Sequence, residues 1–388
     1  MTRRAWIVAA LVPVTAFVLW WTSVHHGFFD STVYSGAVRY WFREHGMVYD
    51  YLKPGTPYGF TYPPFAGIVM SPMAFLPLPA VVAIACLATV VITVVLTWWF
   101  IAPIVRRSGW TPWFALAVAS AFALCFEPVR ETFAFGQVNM VLLALVAGDV
   151  LFGLARGKRW GGAGIGLATA IKLTPGVFII YLLVTGRWRA AATAVGAAAA
   201  ATLVAAAFFP DQSREFWTSA LWDTNRVGNL EYVSNQSLRG LAARLPLGDY
   251  ESKVWLVLVL VAIGLWVWRV RRADFFGGLA LTGVLGCLIS PVTWVHHCVW
   301  LLPAVIRCLE AGGRTRYLAV AAYVVMSSRV TWLWANGPKP PLAIIGSNFY
   351  VWFTIAFLLW MPLVAPDGPL TLRGGTVRRA GDRQASYI

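Results

Sequence analysis

A carboxylate, a lysine and a histidine pair stand out in this chain because the residues around them are apolar. Asp30 follows Phe28 and Phe29 just past the first long apolar run, roughly 6–24. A carboxyl group near lipid has a raised pKa and can act as a general base. The ordinary alternative is that Asp30 caps a helix over 31–44, with the two phenylalanines as an interfacial anchor. Lys172 stands alone in Ala170-Ile171-Lys172-Leu173-Thr174-Pro175, between two short apolar runs. An unpaired ammonium at membrane depth costs about 2.5–3.5 kcal/mol on the lenient scale, so it must snorkel to the surface or bind an anion. Thr174-Pro175 restarts a helix whose free N–H groups also suit a phosphate. The pair His296 and His297 ends the run Ser290-Pro291-Val292-Thr293-Trp294-Val295-His296-His297. Adjacent helical residues point about 100° apart, so only one of the two can face a given cavity, which argues against a metal chelate.

Three further stretches could wall such a site. Phe126-Glu127-Pro128-Val129-Arg130-Glu131 bunches three charges near a helix end, and Gly136-Gln137-Val138-Asn139 places two amides at the start of the next apolar run. Gln137 and Asn139 either line a polar cavity that binds a sugar or cap that helix. Tyr232-Val233-Ser234-Asn235-Gln236-Ser237-Leu238-Arg239 contains a glycosylation sequon, a frequent chance match, and reads better as a polar strip closing over a substrate beside Arg239. Gly59-Phe60-Thr61-Tyr62-Pro63-Pro64-Phe65 forces an extended approach to a rigid helix start. No DxD, no GxGxxG after a strand, no Walker lysine and no HExxH occurs. Soluble nucleotide-sugar transferases, ATP-driven transport and zinc proteolysis all lose their usual marks.

The elements that must hold these residues lie in lipid. Of 388 residues, 59% are hydrophobic and only 12% charged, and the mean hydropathy is +0.68. Soluble domains carry roughly 25% charged residues, so this is a polytopic membrane protein. Aromatics reach 15%, with 21 Trp, as interfacial belts require. Apolar runs fall at about 6–24, 80–103, 112–126, 138–155, 161–171, 174–186, 190–209, 252–270, 275–289, 295–309, 317–333 and 348–364, which predicts about twelve transmembrane helices. The formal charge of +15 would suggest nucleic acid in a soluble chain. Here most of the Lys and Arg fall in short turns that read as cytoplasmic loops, so no nucleic-acid partner is expected. Most acidic residues and all five histidines fall on the opposite, outer side, where 25–79 and 210–251 are the long loops. Segment 63–78, rich in proline, is expected to lie along the outer surface. Residues 1–365 form one membrane unit, and 366–388 a basic cytoplasmic tail. The five cysteines lie in or beside apolar runs without CxxC spacing, as structural thiols do.

Taken in order, Asp30 with Tyr34, Phe60-Thr61-Tyr62-Pro63-Pro64-Phe65, Gly136-Gln137-Val138-Asn139, Lys172-Leu173-Thr174-Pro175, Asn235-Gln236-Ser237 and Ser290-Pro291-x-x-Trp294-x-His296-His297 resemble glycosyltransferase family 87. The likeness runs over about residues 5–365. It implies an all-α integral membrane protein of GT-C architecture, with outer juxtamembrane helices, as found in actinobacteria. Within the family the mycobacterial α-1,2-mannosyltransferases are most similar. The resemblance implies inverting transfer of mannose from a polyprenyl phosphate donor to a phosphatidylinositol mannoside or lipomannan type of acceptor. This takes place on the outer face of the plasma membrane, with no cofactor and no metal. Asp30 would be the general base, Lys172 with Arg130, Arg239 and His297 would neutralise the leaving phosphate, and His297 rather than His296 would face the cavity. Tyr34, Tyr62, Glu127, Glu131, Gln137, Asn139, Asn235, Gln236, His296 and Trp294 would contact sugar or acceptor. Two alternatives stand beside this reading: an arabinofuranosyltransferase using decaprenyl phosphate arabinose, and a lipid-linked sugar transporter or flippase. A transporter should show two related halves and midplane charges, and neither is apparent.

Overall fold

The computed structural model describes residues 2–223, 228–335 and 341–366; the expected basic tail lies outside these, apart from its first residue. Among the described residues the regular structure is helical, apart from an isolated antiparallel bridge between Leu52 and Gly59. The N-terminal half contains α1 (Arg3–His26), α2 (Phe29–Glu44), α3 (Pro64–Met70), α4 (Leu78–Ser108), α5 (Pro112–Cys125), α6 (Glu127–Phe135), α7 (Asn139–Gly148), α8 (Ala163–Ile171) and α9 (Val177–Val184). There follow α10 (Trp188–Phe208), α11 (Pro210–Glu215), α12 (Leu238–Arg244), α13 (Glu251–Val270), α14 (Phe275–Ile289), α15 (Leu302–Ala311), α16 (Gly313–Ser327), α17 (Pro341–Gly346) and α18 (Phe349–Trp360).

Four helical stretches, Arg3–His26, Leu78–Ser108, Trp188–Phe208 and Gly248–Val270, are long and apolar enough to cross a bilayer alone, with only 22% to 28% of each apolar window buried inside the protein. An apolar surface left uncovered on that scale has lipid for its solvent. Leu87, Leu203 and Trp20 on these helices are each more than half exposed. This is a multi-pass membrane protein. The bent pair α5 and α6, which meet at 69°, makes a fifth candidate crossing.

The remaining predicted runs fold as helices, several of them shorter or broken. Run 295–309 divides into a 3-10 turn, Val295–Leu301, and α15; run 317–333 divides into α16 and a second 3-10 turn, Val330–Trp334. Run 138–155 passes from α7 into a π-helical segment, Asp149–Leu154. Runs 161–171 and 174–186 are separate, as their break at Lys172 suggests. The packed centre is α14, whose residues are nearly all buried, surrounded by α13, α15, α18, α9 and the 3-10 turn 295–301. Its four glycines let neighbours approach closely: a Cβ on Gly283 would sit 2.8 Å from the Trp300 carbonyl oxygen.

Candidate active site

Asp30 does not cap a helix. α2 begins at Phe29, the cap position is Phe28 in the left-handed region (φ 52°), and Asp30 falls in the first helical turn. Its carboxylate is engaged elsewhere: Oδ2 accepts a 2.7 Å hydrogen bond from Gln137 Nε2. The same amide accepts at Oε1 from the Tyr62 hydroxyl at 3.1 Å, and Tyr62 pairs with the Tyr34 hydroxyl at 2.8 Å. A carboxylate that only accepts must face the NH2 of the amide, so the network fixes which way Gln137 points. Burial keeps both tyrosine hydroxyls protonated by pushing them above their usual range.

The corner between α6 and α7 brings Gln137 to Asp30. Gly136 turns the chain with φ +67°, and a Cβ there would meet Ser31 Oγ at 1.9 Å, so only glycine fits. Ser31 Oγ donates to the Gly136 carbonyl at 3.1 Å, and Phe28 N–H donates to the Ala134 carbonyl at 3.1 Å. These bonds lock the start of α2 onto the corner.

Burial is the largest influence on Asp30 and lifts its carboxyl from 3.8 to about 6. The Gln137 bond pulls the other way, as do the charges of Lys172, Lys53 and His26. The carboxylate is therefore mostly ionised at neutral pH yet basic enough to take a proton.

Lys172 closes α8 in an extended conformation (φ −148°, ψ 131°), which lifts its side chain off the helical path. Nζ donates to Asn139 Oδ1 at 3.2 Å and lies 2.9 Å from His297 Nε2. It also sits over the Tyr62 ring, 5.2 Å from the centroid. Tyr62 thus touches both the Asp30 network and the lysine. Asn139 is held in turn by its Nδ2, which donates to the His296 carbonyl at 3.0 Å. Neither amide caps α7; the cap position is Val138, without a side-chain bond.

His297 meets Lys172, whereas His296 turns away. The His296 ring packs on Phe135 at 5.1 Å, and its Nε2 is buried without a hydrogen-bond partner among the described residues. The pair sits on a 3-10 turn rather than on a regular α-helix. A cleft with about 380 Å³ of empty space opens beside Lys172, Asn139 and His297. Its opposite wall is apolar, from Val177, Phe178, Gly283, Gly286 and Trp300. Asp30 does not line it.

Several expected site residues make their contacts within the protein, away from Asp30 and Lys172. The Arg130 guanidinium donates to the carbonyls of Cys125 at 3.1 Å and Ser327 at 2.8 Å. Arg239 pairs with Glu251 at 3.2 Å and lies over Trp255, so α13 holds it away from Lys172. Glu127 is fully buried and accepts from Tyr350 at 2.5 Å and Trp332 at 2.8 Å. Glu131 bonds Arg329 at 2.6 Å and His26 at 2.9 Å. These carboxylates tie α6 to α1, α18 and the turn 330–334. Asn235 and Gln236 are fully buried too, so the sequon is closed to modification. Asn235 accepts from Thr293 N–H at 3.0 Å and donates to the Pro291 carbonyl at 3.2 Å, and Gln236 N–H donates to the Thr293 carbonyl at 2.7 Å. The strip therefore braces the turn that carries His297. Trp294 is half-buried at the head of that turn, with Tyr232 beside it at 6.3 Å.

Lys53 was not among the residues singled out from the sequence. It lies over the Phe29 ring at 3.8 Å and bears electrostatically on Asp30. One lysine in a polar loop carries no local signal, and only the folded loop brings it there. Among the described residues no three His, Cys, Asp or Glu side chains cluster as a metal site would require.

Comparison with known proteins supplies the family. The model of glycosyltransferase family 87 matches residues 60–291. A polyprenol-phosphate-mannose-dependent alpha-(1-2)-phosphatidylinositol mannoside mannosyltransferase of Mycobacterium tuberculosis is 34% identical over 81% of this chain and 78% of its own. A related pentamannoside mannosyltransferase of M. tuberculosis is 33% identical over 92% of this chain and 85% of its own. An alpha-(1->3)-arabinofuranosyltransferase of Corynebacterium glutamicum is 25% identical over 76% and 71%. Among solved structures, ArnT from Cupriavidus metallidurans bound to undecaprenyl phosphate covers 92% of this chain and 77% of its own at 17% identity, with a TM-score of 0.40. With a family match over more than half its length and relatives above 30% identity along most of it, this chain belongs to glycosyltransferase family 87 and is a glycosyltransferase.

Proposed function

We propose that this enzyme transfers mannose from a polyprenyl phosphate donor to a lipid-linked mannoside, forming an α-1,2 linkage with inversion on the outer face of the plasma membrane. The observation that carries this reading is that a basic carboxylate and a buried ammonium meet at one tyrosine. Asp30 reaches Tyr62 through Gln137, and Lys172 lies over the Tyr62 ring. Asp30 takes the proton of the acceptor hydroxyl as that oxygen attacks the anomeric carbon; the bond from that carbon to the phosphate oxygen breaks, and polyprenyl phosphate leaves with the electron pair. Phosphate is a good leaving group and needs charge neutralisation more than a proton, which Lys172 supplies. A single base suffices for inversion. His297, whose Nε2 lies 2.9 Å from Lys172 Nζ, positions that side chain, and the apolar wall of the adjoining cleft suits the start of an isoprenoid chain.

Mannose is preferred over arabinofuranose because the mannosyltransferase relatives are more similar to this chain. The outer face and a cover built from loops 25–79 and 210–251 are inferred from the charge asymmetry of the sequence, about twelve crossings from its apolar runs, and the GT-C arrangement from the family resemblance.

The test is transfer by purified protein in detergent, with labelled polyprenyl phosphate mannose and a mannosylated lipid, run in parallel with decaprenyl phosphate arabinose. Mannosyl transfer that disappears in Asp30→Asn while the protein keeps its melting temperature supports the reading. Transfer from the arabinose donor alone would replace it, and unchanged transfer in Asp30→Asn removes Asp30 from the chemistry.

A further inference from the structure

The strip 228–237, which braces the His297 turn, has a second cavity on its far side. It holds about 600 Å³ of empty space between the chain at 229–233, the end of the turn 330–334, and α17. Its lining pairs two aromatic side chains, Tyr232 and Trp334, with the polar groups of Asn229, Glu231, Arg244 and Ser347. Tyr232 is 43% exposed although its ring touches those of Trp294 and Trp332. The polar groups are themselves anchored. Buried Arg244 donates to the Tyr232 carbonyl at 3.0 Å and to Asn348 Oδ1, and Glu231 N–H donates to Asn229 Oδ1 at 3.0 Å.

A row of rings connects this cavity to the base. Phe29, next to Asp30, meets Tyr58 edge-on at 5.9 Å. The Tyr58 ring and the Trp294 ring both come within 3.5 Å of where a Cβ on Gly228 would stand. Trp294 then meets Tyr232 at 6.3 Å, on the rim of the cavity. Flat amphipathic rings beside an amide, a hydroxyl and a carboxylate form a surface suited to a carbohydrate, whose C–H faces stack on rings while its hydroxyls take hydrogen bonds.

We infer that this cavity is an acceptor subsite: it binds the sugars of an oligosaccharide chain lying beyond the residue that reacts at Asp30, and so selects acceptors by glycan length. The inference rests on the transferase reading above and extends it to acceptor choice. It assigns roles to Tyr232, Trp334, Asn229 and Glu231 that the chemistry of the first site does not require.

Two measurements test it. The first compares kcat/KM for a lipid acceptor with several mannoses against one with a single mannose, in wild type, Tyr232→Ala, Tyr232→Phe and Glu231→Ala. The long-to-short ratio should fall roughly tenfold in Tyr232→Ala and in Glu231→Ala, and recover in Tyr232→Phe, which keeps the ring. A ratio equal to wild type in both alanine variants overturns the subsite. The second measurement needs no turnover, so it separates this inference from the choice of donor. Saturation-transfer NMR with soluble α-mannotriose should show contact with wild type and lose it in Tyr232→Ala at an unchanged melting temperature. Equal signals in both proteins overturn the subsite even if mannosyl transfer is demonstrated; signal loss supports it even if the donor sugar proves different.

Discussion

Asp30 owes its basicity to burial and its residual acidity first to one amide and then to nearby positive charges. Because burial lifts its carboxyl to about 6 and only the ionised form accepts a proton, activity should rise with pH through about 6, and fall again as the Lys172 ammonium, which burial lowers to about 7, gives up its charge. The Gln137 bond lowers that value, so Gln137→Leu should move the acid limb of kcat/KM to higher pH, and a limb that stays in place would deny the amide this role. Removing the proposed base, in Asp30→Asn, should reduce kcat by about 10²–10⁴ with donor binding largely kept. Lys172→Met should do two things: weaken transfer through loss of the charge facing the leaving phosphate, and raise the Asp30 limb, since the lysine charge also favours the carboxylate. Both shifts are readable in one set of pH–rate profiles. Of the residues in the candidate site, Asp30 and Lys172 could be singled out from the sequence because each is an ionisable group isolated in apolar surroundings. Arg130 and Arg239 carried the same charge signal, and the fold engages them with carbonyls and with Glu251. Nothing local distinguishes an arginine that faces a ligand from one that caps carbonyls or meets a glutamate.

Helix ends, more than helix middles, place these residues. Asp30 stands in the first turn of α2, Gln137 and Asn139 flank the start of α7, Lys172 ends α8, and His297 rides a 3-10 turn before α15. Each end is set by a residue with backbone consequences. Gly136 is the sharpest case, with its positive φ and the Ser31 hydroxyl where a side chain would go. Gly136→Ala should lower stability by about 1–3 kcal/mol and loosen the Gln137 bond, read as a lower melting temperature together with an upward shift of the acid limb. Wild-type behaviour on both counts would show that the corner tolerates a side chain. The break at Lys172 could be read from Pro175 and the two short apolar runs. The division of run 295–309 into a 3-10 turn and α15 could not, because its hydrophobicity is continuous and the turn is fixed by Asn235 and Gln236 from another part of the chain.

At the scale of the whole molecule, a buried ion cluster holds helices together through residues that read from sequence only as topology markers. Arg307, fully buried, makes a two-pronged contact with Asp274 at 2.6 and 2.8 Å and bonds Glu310 at 3.0 Å. Arg107 on α4 also binds Glu310, and Asp274 receives the Ala365 N–H at 3.0 Å while accepting from Gly277 N–H at the start of α14. The cluster therefore ties α4, α14, α15 and the end of the described chain into one unit. Arg307→Met should cost about 3–5 kcal/mol, because it strands two carboxylates away from water, and thermal unfolding in detergent would register it. A variant as stable as wild type would mean that water reaches the cluster.

Composition and the spacing of apolar runs determined by themselves that this chain is a helical membrane protein, where its long apolar helices run, and which isolated charges invite a functional reading. These properties depend on residues close in sequence, and lipid admits few backbone structures other than helices. Only the tertiary structure decided which polar groups share a site. Gln137 reaches Asp30 across 107 residues, and Lys172 reaches His297 across 125. Such pairings depend on how helices pack in three dimensions, and no periodicity along the chain records them.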